Sequence, residues 1–512
     1  MDAHASTTHR SGGLLVAGTA SGVGKTTLVA GLCRWLAQSG VRVAPFKAST
    51  IALESVATQD GCEIARAQAL QAAAAGLEPT AAMNPLLLKP GADGRLHALV
   101  RGQVADPPTV ALLRDEPDAR RALAIEALDE LRSSVDIVIC EGSGAAGEVG
   151  VADTANTALA VAAGMPVLLV ASVELGGASG SILGTLELLP AAEARQVAGY
   201  VLTRHRGVAA DLAAVVDDLL ARTGRRTLGV VPWTEDLGWE PEDATSLDHL
   251  DGRGLGEEEL QVVVVGLPHA SNLADLDPLV AEPAVNVRSS ARPGDLLGAH
   301  LVIVPGTRAV LHDLAWLRGR GLDRALAARV AAGRPVLGLC GGYQLLGEQI
   351  SDPHGVEAPA GATAEGLGLL PIATTFRPTK MVARRRGTAV AFSEEGGLAS
   401  EVVTGFELRH GHVESRGEPL LRTEDDRGEG CVHGVVWGTS WHGLLDNDGL
   451  REHLLSRVAR GEGLASPASG LRYAVLREER LDRLAALVTE HLDTHAISEL
   501  LPGAAASTSA SR

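Results

Sequence analysis

A chain of 512 residues has room for two or three domains with full cores, and a formal net charge of −18 argues against nonspecific nucleic-acid binding and against anionic membrane surfaces. Five cysteines (Cys33, Cys62, Cys140, Cys340, Cys431) without regular spacing make no disulfide framework, so a reducing compartment is expected. Residues 1–11 lack an apolar signal core and no apolar run reaches spanning length, which predicts a cytoplasmic protein with neither membrane nor nucleic acid as partner.

Residues 1–11 read as a disordered end. Leu14-Leu-Val-Ala-Gly-Thr-Ala-Ser-Gly-Val-Gly-Lys-Thr-Thr27 then reads as a strand, a glycine-rich loop and a helix start. Backbone N–H groups of the loop, shaped by Gly18, Gly22 and Gly24, are expected to cradle the phosphates of ATP. Lys25 would reach the terminal phosphates and the Thr26 hydroxyl would hold Mg²⁺, with Thr27 next in register. Five residues separate Gly18 from Gly24, where the common phosphate-loop pattern has four. Strands are predicted at 14–18, 41–46, 136–140, 166–171, 197–202 and 228–231, with Ala- and Leu-rich helices between them. That alternation predicts an α/β fold, a doubly wound parallel sheet over 12–232.

Residues 233–259 lose periodicity and gain acid and glycine, as a linker would. A second α/β domain follows over 260–460, beginning at Leu260-Gln-Val-Val-Val-Val-Gly266. In Arg334-Pro-Val-Leu-Gly-Leu-Cys-Gly-Gly-Tyr343 an apolar strand breaks at glycines and restarts as a helix, the pattern of a nucleophile elbow. The Cys340 thiol would project at a helix N-terminus, where backbone N–H groups and the helix dipole favour thiolate. His442, after a later apolar strand, is the natural base partner, which predicts amide hydrolysis through a thioester. The second domain ends in helices near 450–459 and 475–492, the later one within a helical extension over 461–512 that closes in a disordered tail from about Pro502. An ATP site and a glutaminase-type thiol on one chain imply an amidotransferase.

Read together, these stretches resemble the cobyric acid synthases, glutamine-dependent amidotransferases of cobalamin biosynthesis. The resemblance is carried by Val43–Lys47, Glu63–Gln71, Met83–Pro90 and Glu141–Gly144 in the first half. In the second half Ser271–Pro278, Pro305–Thr307, the Cys340 elbow, Gly405–Gly411 and His442–Asp448 carry it. It implies a P-loop, dethiobiotin-synthetase-like sheet followed by a class I glutaminase domain. It also implies ATP and Mg²⁺ as cofactors, with L-glutamine and a corrinoid acid as substrates. Carried over residue by residue, Lys25 and Lys47 would neutralise phosphate charge, and Thr26, Glu141 and Glu63 would hold Mg²⁺. A helix-surface carboxylate beside Arg66 is the plainer account of Glu63, and Asn84 and Lys89 would touch substrate. Gly306, Thr307 and Gly341 would supply oxyanion N–H groups. Many class I glutaminases carry His-x-Glu, but here the run is His442-Gly-Leu444, so no third triad member stands in that place.

The chain departs from the family on the acceptor side. Ala48–Glu54 replaces a Gln-Asn-Met segment followed by Asn, Ala145–Gly150 replaces Ser-Pro-Ala-Glu-Ile-Asn, and Ser172 and Leu175 stand where an acid and an arginine are usual. The acceptor pocket is expected around Ser49, Thr50, Ser172 and Leu175. Conversion of adenosylcobyrinic acid a,c-diamide to adenosylcobyric acid is the leading expectation. The alternatives are a cobyrinic acid a,c-diamide synthase or another carboxylate amidotransferase, a chain retaining only glutaminase activity, and a nonenzymatic P-loop switch. A monomer and a homo-oligomer are both open.

Overall fold

Apolar runs such as Leu14–Val16 and Ile137–Cys140 suit strands covered on both faces. In the computed structural model, which describes residues 12–91, 94, 96–149, 153–234, 237, 259–391, 401–467 and 469–501, they lie at the centre of a six-stranded sheet. Its spatial order is Arg226–Pro232, Val197–His205, Val167–Ser172, Gly12–Gly18, Ile137–Glu141 and Val43–Phe46, every neighbour parallel. The strand expected from residue 41 begins at Val43 because the Val41 N–H is still bonded to Leu36 O at the end of the preceding helix. The expected disordered ends and most of the 233–259 linker lie outside the described residues. Among the described residues no helix is long and apolar enough to cross a membrane.

A second parallel sheet runs Val285–Ser290, Leu260–Val265, Leu301–Val304, Val336–Leu339 and Val436–Thr439, with Cys431–His433 antiparallel at its edge. The C-terminal ends of its last three parallel strands lead into Gly306, Cys340 and His442, the place where open α/β sheets build sites. One feature escapes the sequence reading: a long hairpin of Ile372–Ala389 against Val402–Ser415. It arches from the second domain onto the first, where Arg384 Nε donates to Ala57 O at 3.2 Å and Lys380 pairs with Glu63.

The two C-terminal helices part company. Asp448–Gly461 packs in the second core through Leu450, Leu454 and Val458. Tyr473–His491, expected to belong with it, returns to the first domain, where Leu481, Leu484 and Val488 share a core with Leu28, Leu32 and Leu36. The approach to helix Lys25–Gln38 is close because Gly31 has no side chain: a Cβ there would sit 2.7 Å from Leu484 O. Gly31→Val should therefore destabilise the protein by about 1–3 kcal/mol through overpacking, read as a lower thermal midpoint with reversible unfolding. An unchanged midpoint would show that the two helices can separate without loss.

Candidate active site

Cys340 takes φ 48°, ψ −106° between its strand and the helix Gly341–Leu345, a left-handed conformation costly for a side-chain-bearing residue. The following glycines are obligatory. A Cβ at Gly342 would lie 2.0 Å from Val304 O, and one at Gly341 would lie 2.7 Å from Thr307 N. The backbone N–H groups of Thr307 and Gly341 are thus neighbours beside the thiol. Gly306 completes the group, since a Cβ on it would lie 3.4 Å from His442 Cε1 and 3.9 Å from Cys340 Cβ. The loop is pinned by Ser271 N–H to Gly306 O (3.0 Å) and Arg308 N–H to His269 O (3.2 Å). The Thr307 hydroxyl turns away to donate to buried Asp313 at 2.5 Å.

His442 is buried, lies with Cys340 beside Gly306 and places Nδ1 2.7 Å from Asp275 Oδ2, while the Cys340 thiol faces Leu408 O at 3.9 Å. Asp275 Oδ1 also accepts the Gly443 N–H at 2.7 Å. Burial alone would disfavour the imidazolium, but the Asp275 carboxylate and Cys340 outweigh it and raise His442 well above its ordinary value. The third member absent from the His-x-Glu position is therefore supplied from Ser271–Pro278, a stretch the sequence reading used only for likeness. The hairpin fixes the other side of the ring: Phe406 and His442 exchange backbone hydrogen bonds (3.0 and 2.8 Å), and their rings stack at 5.3 Å. Glu357 faces the same thiol. Burial pushes it up to about 8, with Arg308 the nearby opposing charge.

The phosphate loop opens into a cavity of about 840 Å³ lined by Gly22, Gly24, Lys25, Thr26, Thr27 and Lys47, with Glu141 among its further walls. Gly18 does not line it but closes the loop from behind, where a Cβ would meet Val23 and Ala20 O at 2.8 and 2.9 Å. Lys25 Nζ donates to Gly144 O (2.7 Å) and Ala20 O (3.1 Å). Thr26 Oγ1 and Lys47 Nζ both donate to Glu141 Oε1 at 2.8 Å, and Gln71 donates to Oε2 at 2.5 Å. Burial opposes the Glu141 charge, but Lys47 and these hydrogen bonds hold its carboxyl below the usual range. Gln71 is a further site residue that the sequence reading passed over.

Glu63 is not brought to this group. It lies on strand Glu63–Ala65 rather than on a helix surface, fully buried, with Lys89, Lys380 and Ser55 around its carboxylate. Burial disfavours its charge, yet the two lysines keep the carboxyl well below its ordinary value. Lys89 is pushed down to about 7 by burial, against the pull of Glu63. Asn84, expected at substrate, braces the backbone: it donates to Lys47 O (3.2 Å) and Thr50 (3.1 Å) and accepts from Ala65 N–H (3.1 Å).

A second cavity of about 1500 Å³ adjoins the first, and Ser49, Leu88, Ser143 and Gly144 line both. Its walls are largely apolar, with Leu96, Val104 and Leu188 at the opening and Arg114 and Arg120 to one side. Ser172 and Leu175 line neither cavity. Ser172 is buried at the end of its strand and Leu175 is 65 % exposed on the loop beyond, so the acceptor position inferred for them is corrected to the Ser49–Ser143 wall.

Two family models match the chain: a CobQ/CobB/MinD/ParA nucleotide binding domain over 14–247 and a CobB/CobQ-like glutamine amidotransferase domain over 261–450. The cobyric acid synthase of Frankia casuarinae is 45% identical over 96% of this chain and 97% of its own length. That of Nocardia farcinica is 44% identical over 96% of each chain, and that of Streptomyces avermitilis is 43% identical over 97% of this chain and 98% of its own length.

Proposed function

The chain belongs to the cobyric acid synthase family, catalysing ATP- and glutamine-dependent amidation in cobalamin biosynthesis, and we propose that its reaction converts adenosylcobyrinic acid a,c-diamide to adenosylcobyric acid. The observation carrying this reading is the wall shared by the two cavities. There a carboxylate held in the larger, apolar chamber can meet the terminal phosphate of a nucleotide held by Lys25 and Lys47. The free cysteines, including buried Cys33 and Cys140, suit a reducing cytoplasm.

Residues 260–460 would hydrolyse glutamine. Cys340 passes its proton to His442 and attacks the side-chain amide, and the N–H groups of Gly306, Thr307 and Gly341 meet the oxyanion. His442 then protonates the leaving ammonia, and water cleaves the thioester to glutamate. Arg308 offers a positive charge to the α-carboxylate of glutamine, beside the buried carboxyl of Glu357. Residues 12–232 would phosphorylate the acceptor, since a carboxylate becomes a good electrophile only as an acyl phosphate. Lys25 and Lys47 neutralise charge gathering on the transferred phosphoryl group, and Gln71 holds Glu141 in place. The hydroxyl of Thr26 and the carboxylate of Glu141, meeting at 2.8 Å, are the hard oxygen donors that suit Mg²⁺ and would hold it. A Mg²⁺ ion held by these two groups would supply neutralisation of phosphate charge. Glu63, enclosed by lysines, is not part of this set.

Mass spectrometry of the corrinoid formed from the diamide, ATP and ammonium or glutamine tests the reading. Each amidation exchanges OH for NH₂, and no conversion with either nitrogen source would overturn it. Asp275→Asn is expected to slow glutamine hydrolysis on the order of a hundredfold while sparing the ammonium route. Because the carboxylate favours the protonated imidazole, its loss lowers the His442 pKa, and the alkaline limb of the glutaminase pH profile should move to lower pH. An alkaline limb that stays in place would exclude Asp275 as the orienting group.

A further inference from the structure

Glu54 ends the Ala48–Glu54 segment and reaches into the other domain rather than into either cavity. Its target is the turn Leu273–Leu276, a single 3₁₀ turn preceded by Asn272 at φ 54°. So short a turn has little stability of its own, and its first N–H groups need outside partners. Asn272 does not cap them; its Oδ1 accepts the Ser55 N–H at 3.2 Å. The partners come from Glu54, whose Oε1 accepts the Leu273 N–H at 2.9 Å and whose Oε2 accepts the Ala274 N–H at 3.2 Å. On the far side Arg66 pairs with Asp277.

The turn so gripped carries Asp275, which orients His442. Both sides of the grip also touch the nucleotide cavity. Ser49, Thr50 and Ile51 line it just upstream of Glu54, and Asp277 and Val280 line it just downstream of Asp275. A continuous bonded route therefore joins the phosphate-binding chamber to the imidazole beside Cys340.

We propose that Glu54 is a positioning residue: by holding Leu273 and Ala274 it sets Asp275 and hence His442, so that a nucleotide in the synthetase cavity controls glutamine hydrolysis through this contact. The proposal rests on the assignment of Cys340, His442 and Asp275 as the glutaminase. It is tested in the full chain with Glu54→Ala and Glu54→Gln, measuring glutamine hydrolysis with and without MgATP beside ammonium-driven amidation.

Wild type should hydrolyse glutamine faster when MgATP is present. Glu54→Ala should lose about tenfold in the stimulated kcat, the scale of an ordinary coupling between sites, with KM for glutamine and the ammonium route little changed. Glu54→Gln keeps one acceptor oxygen and should recover part of the response. Hydrolysis that ignores MgATP in wild type, or equal stimulation in wild type and Glu54→Ala, overturns the proposal. So does a parallel loss of both nitrogen routes in both variants, which marks a structural contact only. Cys340→Ser, run alongside, separates the two failures: hydrolysis surviving in that variant refutes the glutaminase assignment itself.

Discussion

Cys340→Ser abolishes glutamine-driven amidation and leaves ammonium-driven amidation close to wild type: this is the expected result with the largest effect in the second domain. The serine hydroxyl is a far weaker nucleophile at neutral pH than a thiol paired with imidazole, and nothing else at the elbow replaces it. Cys340 sits at left-handed φ, with Val304 O and Thr307 N packed against the next two glycines, so a neighbouring residue cannot swing into its place. The substitution changes one atom in a position 7 % exposed, and folding should survive it. In the proposed mechanism the acceptor is phosphorylated beyond the interface, in the cavity lined by Lys25, Lys47 and Glu141, without the thiol. Product formation measured with each nitrogen source checks this; retained turnover with glutamine would remove Cys340 from the mechanism.

What could be read in the sequence was local. The strands of the first sheet, the phosphate loop and the elbow each lie in one run of residues, where apolar continuity and glycine spacing carry the information. Asp275 was not legible as a partner of His442, because the bond joins residues far apart in the chain and the turn bearing it has no periodicity. Glu63 was misread for the same reason. Its neighbour Arg66 suggested a helix face, and Lys89 and Lys380 come from elsewhere, one of them from the hairpin of the other domain. Ser172 ends a strand of the nucleotide sheet and Leu175 lies on the loop beyond, and only the tertiary fold shows that neither lines a cavity. The return of helix Tyr473–His491 to Gly31 needs the tertiary fold, since its amphipathic pattern suits either domain.

Lys25→Ala should stop amidation with glutamine and with ammonium alike, a loss expected on the order of a hundred- to a thousandfold for one preorganised charge stabiliser. Lys47 cannot take over, because its ammonium is bound to Glu141 at 2.8 Å and a shift toward phosphate would expose that buried carboxylate. Lys25 is held by the carbonyls of Ala20 and Gly144, bonds that exchange for phosphate oxygens at little cost. Gly144 also borders the acceptor chamber, which puts this amine at the wall where phosphoryl transfer would occur. Glutamine hydrolysis should persist, since the thiol site keeps all its groups, but released ammonia would find no acyl phosphate. Release of phosphate from ATP and the mass of the corrinoid, measured together, distinguish this from a folding defect, which would remove glutamine hydrolysis as well. Ammonium-driven product in Lys25→Ala would mean that the five-residue loop is not the site of phosphorylation, and the charge needed for it would have to be sought at Lys47.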